Sequence, residues 1–463
     1  MIYFIARSAP ARRACITVCP EGILYRAKRA RPKGMHYGVP GGYTLSREAR
    51  PPGGHALRCA GGGRGRAELT EIDRERNKGA LRRGYTTGTC AAAAAQAAAW
   101  MLLAGTRVEK AAVTLPGGMR LELAVEEERS GAGWASCAVR KDSGDDPDVT
   151  DGLLVWATVS ASPIKTEKSG IIEHKEEDIS LYLSGGVGVG TVTRPGLSCK
   201  VGEPAINPVP RQMIVSHVAG VCRKTGFSGA LWIEIFVPGG REIARRTFNP
   251  RLGIRDGISI LGTSGIVEPM SRRALLETIR LELRQKHLAG WKILAVTPGN
   301  YGERFLADEL GIPEDRAVIC SNYIGETLDM AAREGVKEIL LVGHGGKLIK
   351  TAAGIMDTHS RTADGRMEIL AAWGAACGAD QELVNEILQA VTVDQGLALL
   401  ETRPGLREKT MERIMERMAF YLGERAGGKL CAEAVMFTNE RGILGMTPGA
   451  RQMLAALKAD RKE

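Results

Sequence analysis

The spacing of apolar and polar positions changes character twice along this chain. Positions 91–95 and 97–99 are all alanine, with Gln96 between them, and Leu102-Leu103-Ala104 carry the apolar run to Gly105. Alanine is the best helix former and glycine a common helix stop. The pattern therefore predicts a helix of about fourteen residues, roughly 21 Å long. Just before it stands Arg83-Gly84-Tyr85-Thr86-Thr87-Gly88-Thr89-Cys90. Glycines permit a tight turn there and threonine hydroxyls can cap the helix. Its alanine run, without large side chains, offers a smooth surface to a sheet, another helix or a flat ligand. Its N-terminus, ringed by hydroxyls, could hold an anion.

Beyond this helix the period shortens to two. Residues 112–115, the turn Pro116-Gly117-Gly118 and residues 119–125 predict a hairpin, and 134–140 a further strand. Residues 231–237 followed by Pro238-Gly239-Gly240 predict a second hairpin. From about residue 260 short buried runs alternate with helical stretches. Strands are expected at 292–296, 316–320, 338–342 and 432–437, with helices at 272–287, capped by Ser271, and at 325–333. Such alternation implies a parallel sheet flanked by helices. Thr297-Pro298-Gly299-Asn300-Tyr301-Gly302, Ser321-Asn322-Tyr323, Gly343-His344-Gly345-Gly346-Lys347 and Thr438-Asn439 all fall at strand C-termini, where open α/β sheets bind ligands. The expected architecture is an α+β N-terminal domain, 81–265, followed by an α/β, Rossmann-like C-terminal domain with a parallel sheet, 266–463.

Charge separates a third region. Residues 1–83 hold 18 Lys+Arg and 6 Asp+Glu, leaving 45 and 47 for the rest of a chain whose net charge is +10. The globular part is nearly neutral, so a nucleic-acid partner is not expected of it, and polyanion binding stays open for the basic leader only. With clusters such as Pro51-Pro52-Gly53-Gly54, residues 1–80 read as a basic, disordered leader, with a short helix at 67–81 leading into the threonine turn. Ten cysteines without CxxC spacing suit reduced thiols and a cytoplasmic setting. No uninterrupted apolar run reaches the roughly 18–20 residues of a membrane span.

Two dense motifs carry candidate chemistry. Lys141-Asp142-Ser143-Gly144-Asp145-Asp146-Pro147-Asp148 could bind a cation, position a positively charged ligand or hold a general base, or could simply be a solvated turn. The run from Gly185 to Gly196 fails the dinucleotide fingerprint because Thr191 stands where the last glycine belongs. It reads as a loop where backbone approaches something closely, with Arg194 available for a carboxylate. The Gly343 loop is not a Walker motif, since Leu341 and Leu348 replace required residues. His344 and His359 lack a third ligand at metal spacing, so no metal site is expected.

Taken together, Gly84 to Ala94, Lys141 to Thr150, Gly188 to Arg211, Gly265 to Met270, Gly299 to Gly302, Ser321-Asn322 and Gly343 to Thr358 resemble the CbiD family of cobalamin-biosynthesis enzymes. The resemblance spans roughly residues 80–450. It implies methyl transfer from S-adenosyl-L-methionine to C-1 of cobalt-precorrin-5B, giving cobalt-precorrin-6A on the anaerobic route to vitamin B12. A flat, carboxylate-fringed substrate would suit Thr86, Thr87, Thr89, Arg194 and Arg211. S-adenosyl-L-methionine would suit Gly299, Asn300, Gly302, Ser321, Asn322, Gly343 and His344. Asp145, Asp146 and Asp148 are the catalytic candidates, as carboxylates able to stabilise positive charge or accept a ring proton. The expected partner is the small-molecule corrin precursor, with other cobalamin-pathway enzymes left open and no nucleic acid or membrane. The alternatives are a non-catalytic tetrapyrrole carrier or scaffold in the same pathway and a nucleotide-dependent enzyme.

Overall fold

The structure, a computed structural model, describes residues 81–165, 170–313 and 316–459. The basic leader, and all but the last residue of the helix read at 67–81, lie outside the described residues.

The alanine run forms the axis of the first half. The helix is Thr87–Ala104, eighteen residues long, because helical geometry begins inside the threonine turn and runs to Gly105, whose φ of 65° ends it. Thr86 caps it, Oγ1 accepting from Thr89 N at 3.2 Å. Every alanine at 91–95 and 97–99 is fully buried. On one side lie the strands Trp134–Arg140 and Leu154–Ser160, and on the other the helix Pro208–Thr225. Methyl-sized side chains let backbones approach so closely that the Cys137 thiol donates to Ala94 O at 3.2 Å. The smooth surface therefore serves sheet and helix, and no face of the alanine run is left for a flat ligand. By length and composition this helix could cross a membrane, yet 67% of it is buried inside the protein.

The sheet beneath it has six strands in the order Glu126–Gly131, Trp134–Arg140, Leu154–Ser160, Gly229–Phe236, Ile179–Gly185 and Ile172–Glu176. Neighbours are antiparallel except Gly229–Phe236 beside Ile179–Gly185. Alternation sorts the faces: Leu231, Ile233 and Ile235 are fully buried in the core shared with the helices. Trp232 and Phe236 fall on the other face and stack on Tyr182 and Trp156, at 5.3 and 5.4 Å between ring centroids.

The two Pro-Gly-Gly turns differ. The first closes the predicted hairpin of Lys110–Thr114 and Arg120–Ala124. The second does not. Gly229–Phe236 is already paired along both edges, so a returning strand would have no ladder to join, and the chain enters the short helix Gly240–Ala244 instead. The glycine run packs against this same turn. Gly188 has a φ of 76°, and a Cβ there would stand 1.9 Å from Val237 O. The close approach expected of the run is thus made to the protein's own backbone.

The second half holds a five-stranded sheet ordered Ala317–Ile319, Ile293–Thr297, Glu338–His344, Cys431–Thr438 and Gly442–Met446, parallel but for the last strand. Leu294, Val296, Leu341 and Met436 face a core completed by Leu283, Leu328 and Met418 from helices Arg272–Leu288, Ile324–Arg333 and Leu406–Ala426. Ile293, Ala295, Leu340 and Phe437 face the opposite core, completed by Phe305 and Leu457 from helices Asn300–Asp308 and Ala450–Ala459. Burial on both faces explains why these strands read as unbroken apolar runs. The halves are joined by antiparallel pairing of Gly84–Tyr85 with Ile266–Val267. A largely buried ion cluster adds to this, Arg251 reaching Glu303 and lying 3.6 Å from Glu282.

Gly188→Ala should destabilise the fold by about 2 kcal/mol or more, since both φ and the carbonyl of Val237 oppose a Cβ. Gly105→Ala, at a similar φ but with nothing within 4 Å of the new Cβ, should cost only ~1 kcal/mol. Thermal melting checks both, and equal losses would contradict the packing described for the glycine run.

Candidate functional site

The acidic motif and the threonine turn, far apart in sequence, form one cluster. Tyr85 N donates to Asp142 O at 2.6 Å and Asp145 N to Arg82 O at 3.0 Å. Gly84 has no room for a Cβ, which would meet Asp142 and Ser143 backbone at 2.3 Å. At the centre is Lys141, whose side chain is 2% exposed and donates to Asp148 Oδ2 at 2.8 Å. Thr150 donates to Asp148 Oδ1 through its N and Oγ1, at 2.9 and 2.8 Å. Burial pushes the Asp148 carboxyl up, but the Lys141 charge and these hydrogen bonds outweigh it and leave the group below its ordinary range.

The other two carboxylates have different surroundings. Asp145 is exposed and accepts from Arg82 N at 2.8 Å. Asp146 is 8% exposed and accepts from Met270 N at 2.7 Å. Burial raises its pKa above the usual carboxylate value, more than the Met270 hydrogen bond lowers it. Carboxylates this close on one turn repel one another, and Lys141 beside Asp148 and Arg82, which also pairs with Asp142, offset that repulsion.

The hydroxyls expected to face a substrate are used internally. Thr86 Oγ1 caps the helix, Thr87 Oγ1 accepts from Leu261 N at 2.9 Å, and Thr89 Oγ1 donates to Gly265 O at 2.7 Å. Thr86 and Thr87 line a cavity with Lys141, Asp148, Asn249 and Ser259, but its volume is about 30 Å³, room for a water or two and far too little for a macrocycle. Arg211 is committed to Glu203 at 2.6 Å and to Ile206 O, which places it in a loop-fastening role. Arg194 is exposed, its Nη1 lying 3.5 Å from Arg251 O, and keeps most of its donors for solvent or a ligand.

The second cluster lies at the C-terminal ends of the parallel strands. His344 caps the turn that follows its strand, Nδ1 accepting from Gly346 N at 3.1 Å. Burial lowers its pKa, so near neutral pH the ring is uncharged and carries its proton on Nε2. Tyr301, 64% exposed, lies 6.0 Å from the imidazole and Phe437 5.7 Å from it, edge-on. Asn322 O accepts from Thr358 N at 2.9 Å. Ser321 has a φ of 55°, a left-handed conformation rare outside glycine.

The three glycines expected to admit a cofactor are not equivalent. A Cβ on Gly302 would stand 2.7 Å from Val342 O, and one on Gly343 would stand 3.2 Å from Pro298 Cδ, so both serve internal packing. Gly299 opens outward, its Cβ position having only Lys347 Nζ within 4 Å, at 4.0 Å. Asn300 follows it as the first residue of its helix.

Sequence reasoning passed over Lys347 once the Walker pattern failed, and Thr297 because a threonine closing a buried strand carries no pattern. Thr297 is fully buried, and its Oγ1 makes no hydrogen bond among the described residues. Asn249 and Ser259 line the same small cavity as Thr86 and Thr87, and no spacing rule would have found them.

The family described as CbiD matches residues 74–269, and its C-terminal domain matches residues 357–448. The chain is 49% identical to a cobalt-precorrin-5B C(1)-methyltransferase of Ruminiclostridium cellulolyticum, over 78% of this chain and 89% of that protein. Proteins of the same name from Alkaliphilus metalliredigens and Moorella thermoacetica are each 41% identical over 82% of this chain, covering 96% and 99% of their own lengths. A crystal structure of a cobalamin biosynthesis protein (cbiD) from Archaeoglobus fulgidus is 31% identical, covering 64% of this chain and 91% of that one. Its TM-score of 0.32 is too low to carry an argument about the fold. Two matched segments in family order, and identity spread over nearly the whole of these relatives, agree with the motifs at the threonine turn, the acidic turn and the strand ends: the chain belongs to the CbiD family.

Proposed function

We propose that this protein is a C-methyltransferase that methylates C-1 of cobalt-precorrin-5B, with S-adenosyl-L-methionine as the donor held at the C-terminal ends of the parallel strands. The observation that carries the activity is 49% identity to a methyltransferase of that name over 89% of its length. Support for the donor site is the grouping of Gly299, Asn300, Ser321, Asn322 and His344 on that edge. The Rossmann-like reading of the second half and the division at about residue 265 belong to this proposal.

When bound, the donor supplies a methyl group already activated on a sulfonium. The C–S bonding pair goes to sulfur, and a π pair of the macrocycle forms the new C–C bond. The positive charge left on the ring is relieved by loss of a proton. The chain's tasks are to orient the two reactants and to receive charge and proton. Asp146 suits the second task better than its neighbours. Asp148 is neutralised by Lys141 and Asp145 is solvated, whereas Asp146 is buried with a raised proton affinity, as a general base requires. Neutral His344 can donate one hydrogen bond from Nε2 to a ligand at the strand ends.

Calorimetry with S-adenosyl-L-methionine, NAD and ATP, followed by methyl transfer to cobalt-precorrin-5B, tests the reading directly. Binding of the first alone with turnover is expected, and binding of NAD or ATP in its place would overturn it. Asp146→Asn should lower single-turnover methyl transfer by ~10²-fold or more. It should not lower thermal stability at pH 7. Folding raises the Asp146 pKa, so ionisation in the folded state is penalised as pH rises through the unfolded and then the folded value, and asparagine removes that penalty. Asp148→Asn should behave oppositely, costing about 3 kcal/mol by stranding buried Lys141. The stability contributed by Asp148, whose pKa is lowered, is present above its unfolded value and lost as pH falls through the folded one. Parent-rate turnover by Asp146→Asn would remove that carboxylate from the chemistry.

A further inference from the structure

We propose that Lys347 anchors a carboxylate at the strand-end edge of the second sheet, and that this is the carboxylate of the donor's methionine moiety. The inference rests on the donor site proposed above. Lys347 ends the strand-to-helix turn after His344, and its Nζ folds back to donate to Pro298 O at 3.0 Å. An ammonium has three donors, and this bond uses one. Among the described residues no carboxylate lies within ion-pair distance of this nitrogen, although the side chain is half-buried. Burial lowers its proton affinity, which marks the cost of keeping a charge there without a counter-ion. A methionine would cover the same apolar surface without that cost.

Lys350, three residues on, shows what a structural lysine looks like in this fold. It is 3% exposed, and its Nζ donates to Ala363 O at 2.8 Å and Thr358 O at 3.2 Å, with Asp364 Oδ1 at 3.8 Å. Lys347 lacks any such set. Its ammonium instead borders the open space at Gly299, where the nine-residue helix Asn300–Asp308 begins. A carboxylate placed there would meet the lysine and the helix's leading N–H groups together. A carboxylate is also what a macrocycle fringed with acid side chains would offer. A single half-buried ammonium between two loops favours the one terminal carboxylate of a small ligand over many peripheral ones.

The test is calorimetry on the full chain and on Lys347→Gln and Lys347→Arg, with S-adenosyl-L-methionine and its decarboxylated analogue, and with cobalt-precorrin-5B. The parent should prefer the carboxylated donor by roughly tenfold to a hundredfold. Lys347→Gln should bind both donors alike, and Lys347→Arg should keep most of the preference. A lysine that only fastened Pro298 would not move this ratio, so a preference that persists in Lys347→Gln overturns the assignment to the donor. If the macrocycle then binds about tenfold more weakly, the carboxylate site stands but belongs to the macrocycle; if it does not, the site itself is overturned. A parent protein that binds neither donor is a different failure, and overturns the reading of the sheet as the donor site.

Discussion

A helix that is buried at its start must have its free N–H groups satisfied there, and the first half of this protein is arranged around that requirement. The helix Thr87–Ala104 enters the core at its first turn, so water cannot cap it. The chain supplies the caps from a segment more than 170 positions downstream. Gly88 N donates to Leu261 O at 3.0 Å, Thr86 N to Gly265 O at 3.1 Å, and Thr89 Oγ1 to Gly265 O at 2.7 Å. That segment continues into Ile266–Val267, which pairs with Gly84–Tyr85, and then to Met270, whose N–H reaches Asp146. Capping the helix, closing the small sheet and holding the acidic turn are therefore one interaction network. It joins the two halves at the point where the sequence motifs are densest.

The same requirement explains why the fold was more legible than the site. Alanine spacing, strand alternation and the apolar runs of the parallel sheet each report a local period, and burial follows the period. The helix start at Ser271 and the helix stop at Gly105 could be read because capping is local chemistry. What the hydroxyls of Thr86, Thr87 and Thr89 would face was not local. The motif fits an anion site and a cap to a distant backbone equally well, and only the arrival of Leu261 to Gly265 decides between them. The Pro-Gly-Gly turn after Phe236 was misread for a related reason: whether a turn returns as a strand depends on a free sheet edge, and pairing on both sides had removed it.

Charges divide in the same way. Among the motif residues, Asp148, Arg211 and Arg82 have found partners inside the protein, and their geometry is explained by stability alone. Asp146 and Lys347 are not explained that way. One is a carboxylate buried with a backbone N–H in place of a cation, the other an ammonium half-buried with a carbonyl in place of an acid. A fold retains such groups at a cost in free energy, and substrates that carry positive charge and carboxylates are the class that would offset it.

Spacing alone could not separate these groups, because Asp145, Asp146 and Asp148 stand within four residues and Lys347 and Lys350 within one helical turn. The separation comes from direction. On the acidic turn, Asp148 points back to Lys141 and Asp145 points out to solvent, while Asp146 is carried toward the Met270 segment that also caps the alanine helix. On the sheet, Lys350 points into the Thr358–Ala363 loop while Lys347 returns over Pro298 to the strand ends. Neighbouring residues of identical type thus acquire structural and chemical roles through which backbone segment they meet, and that is settled by the long-range pairing of Gly84–Tyr85 and of the parallel strands.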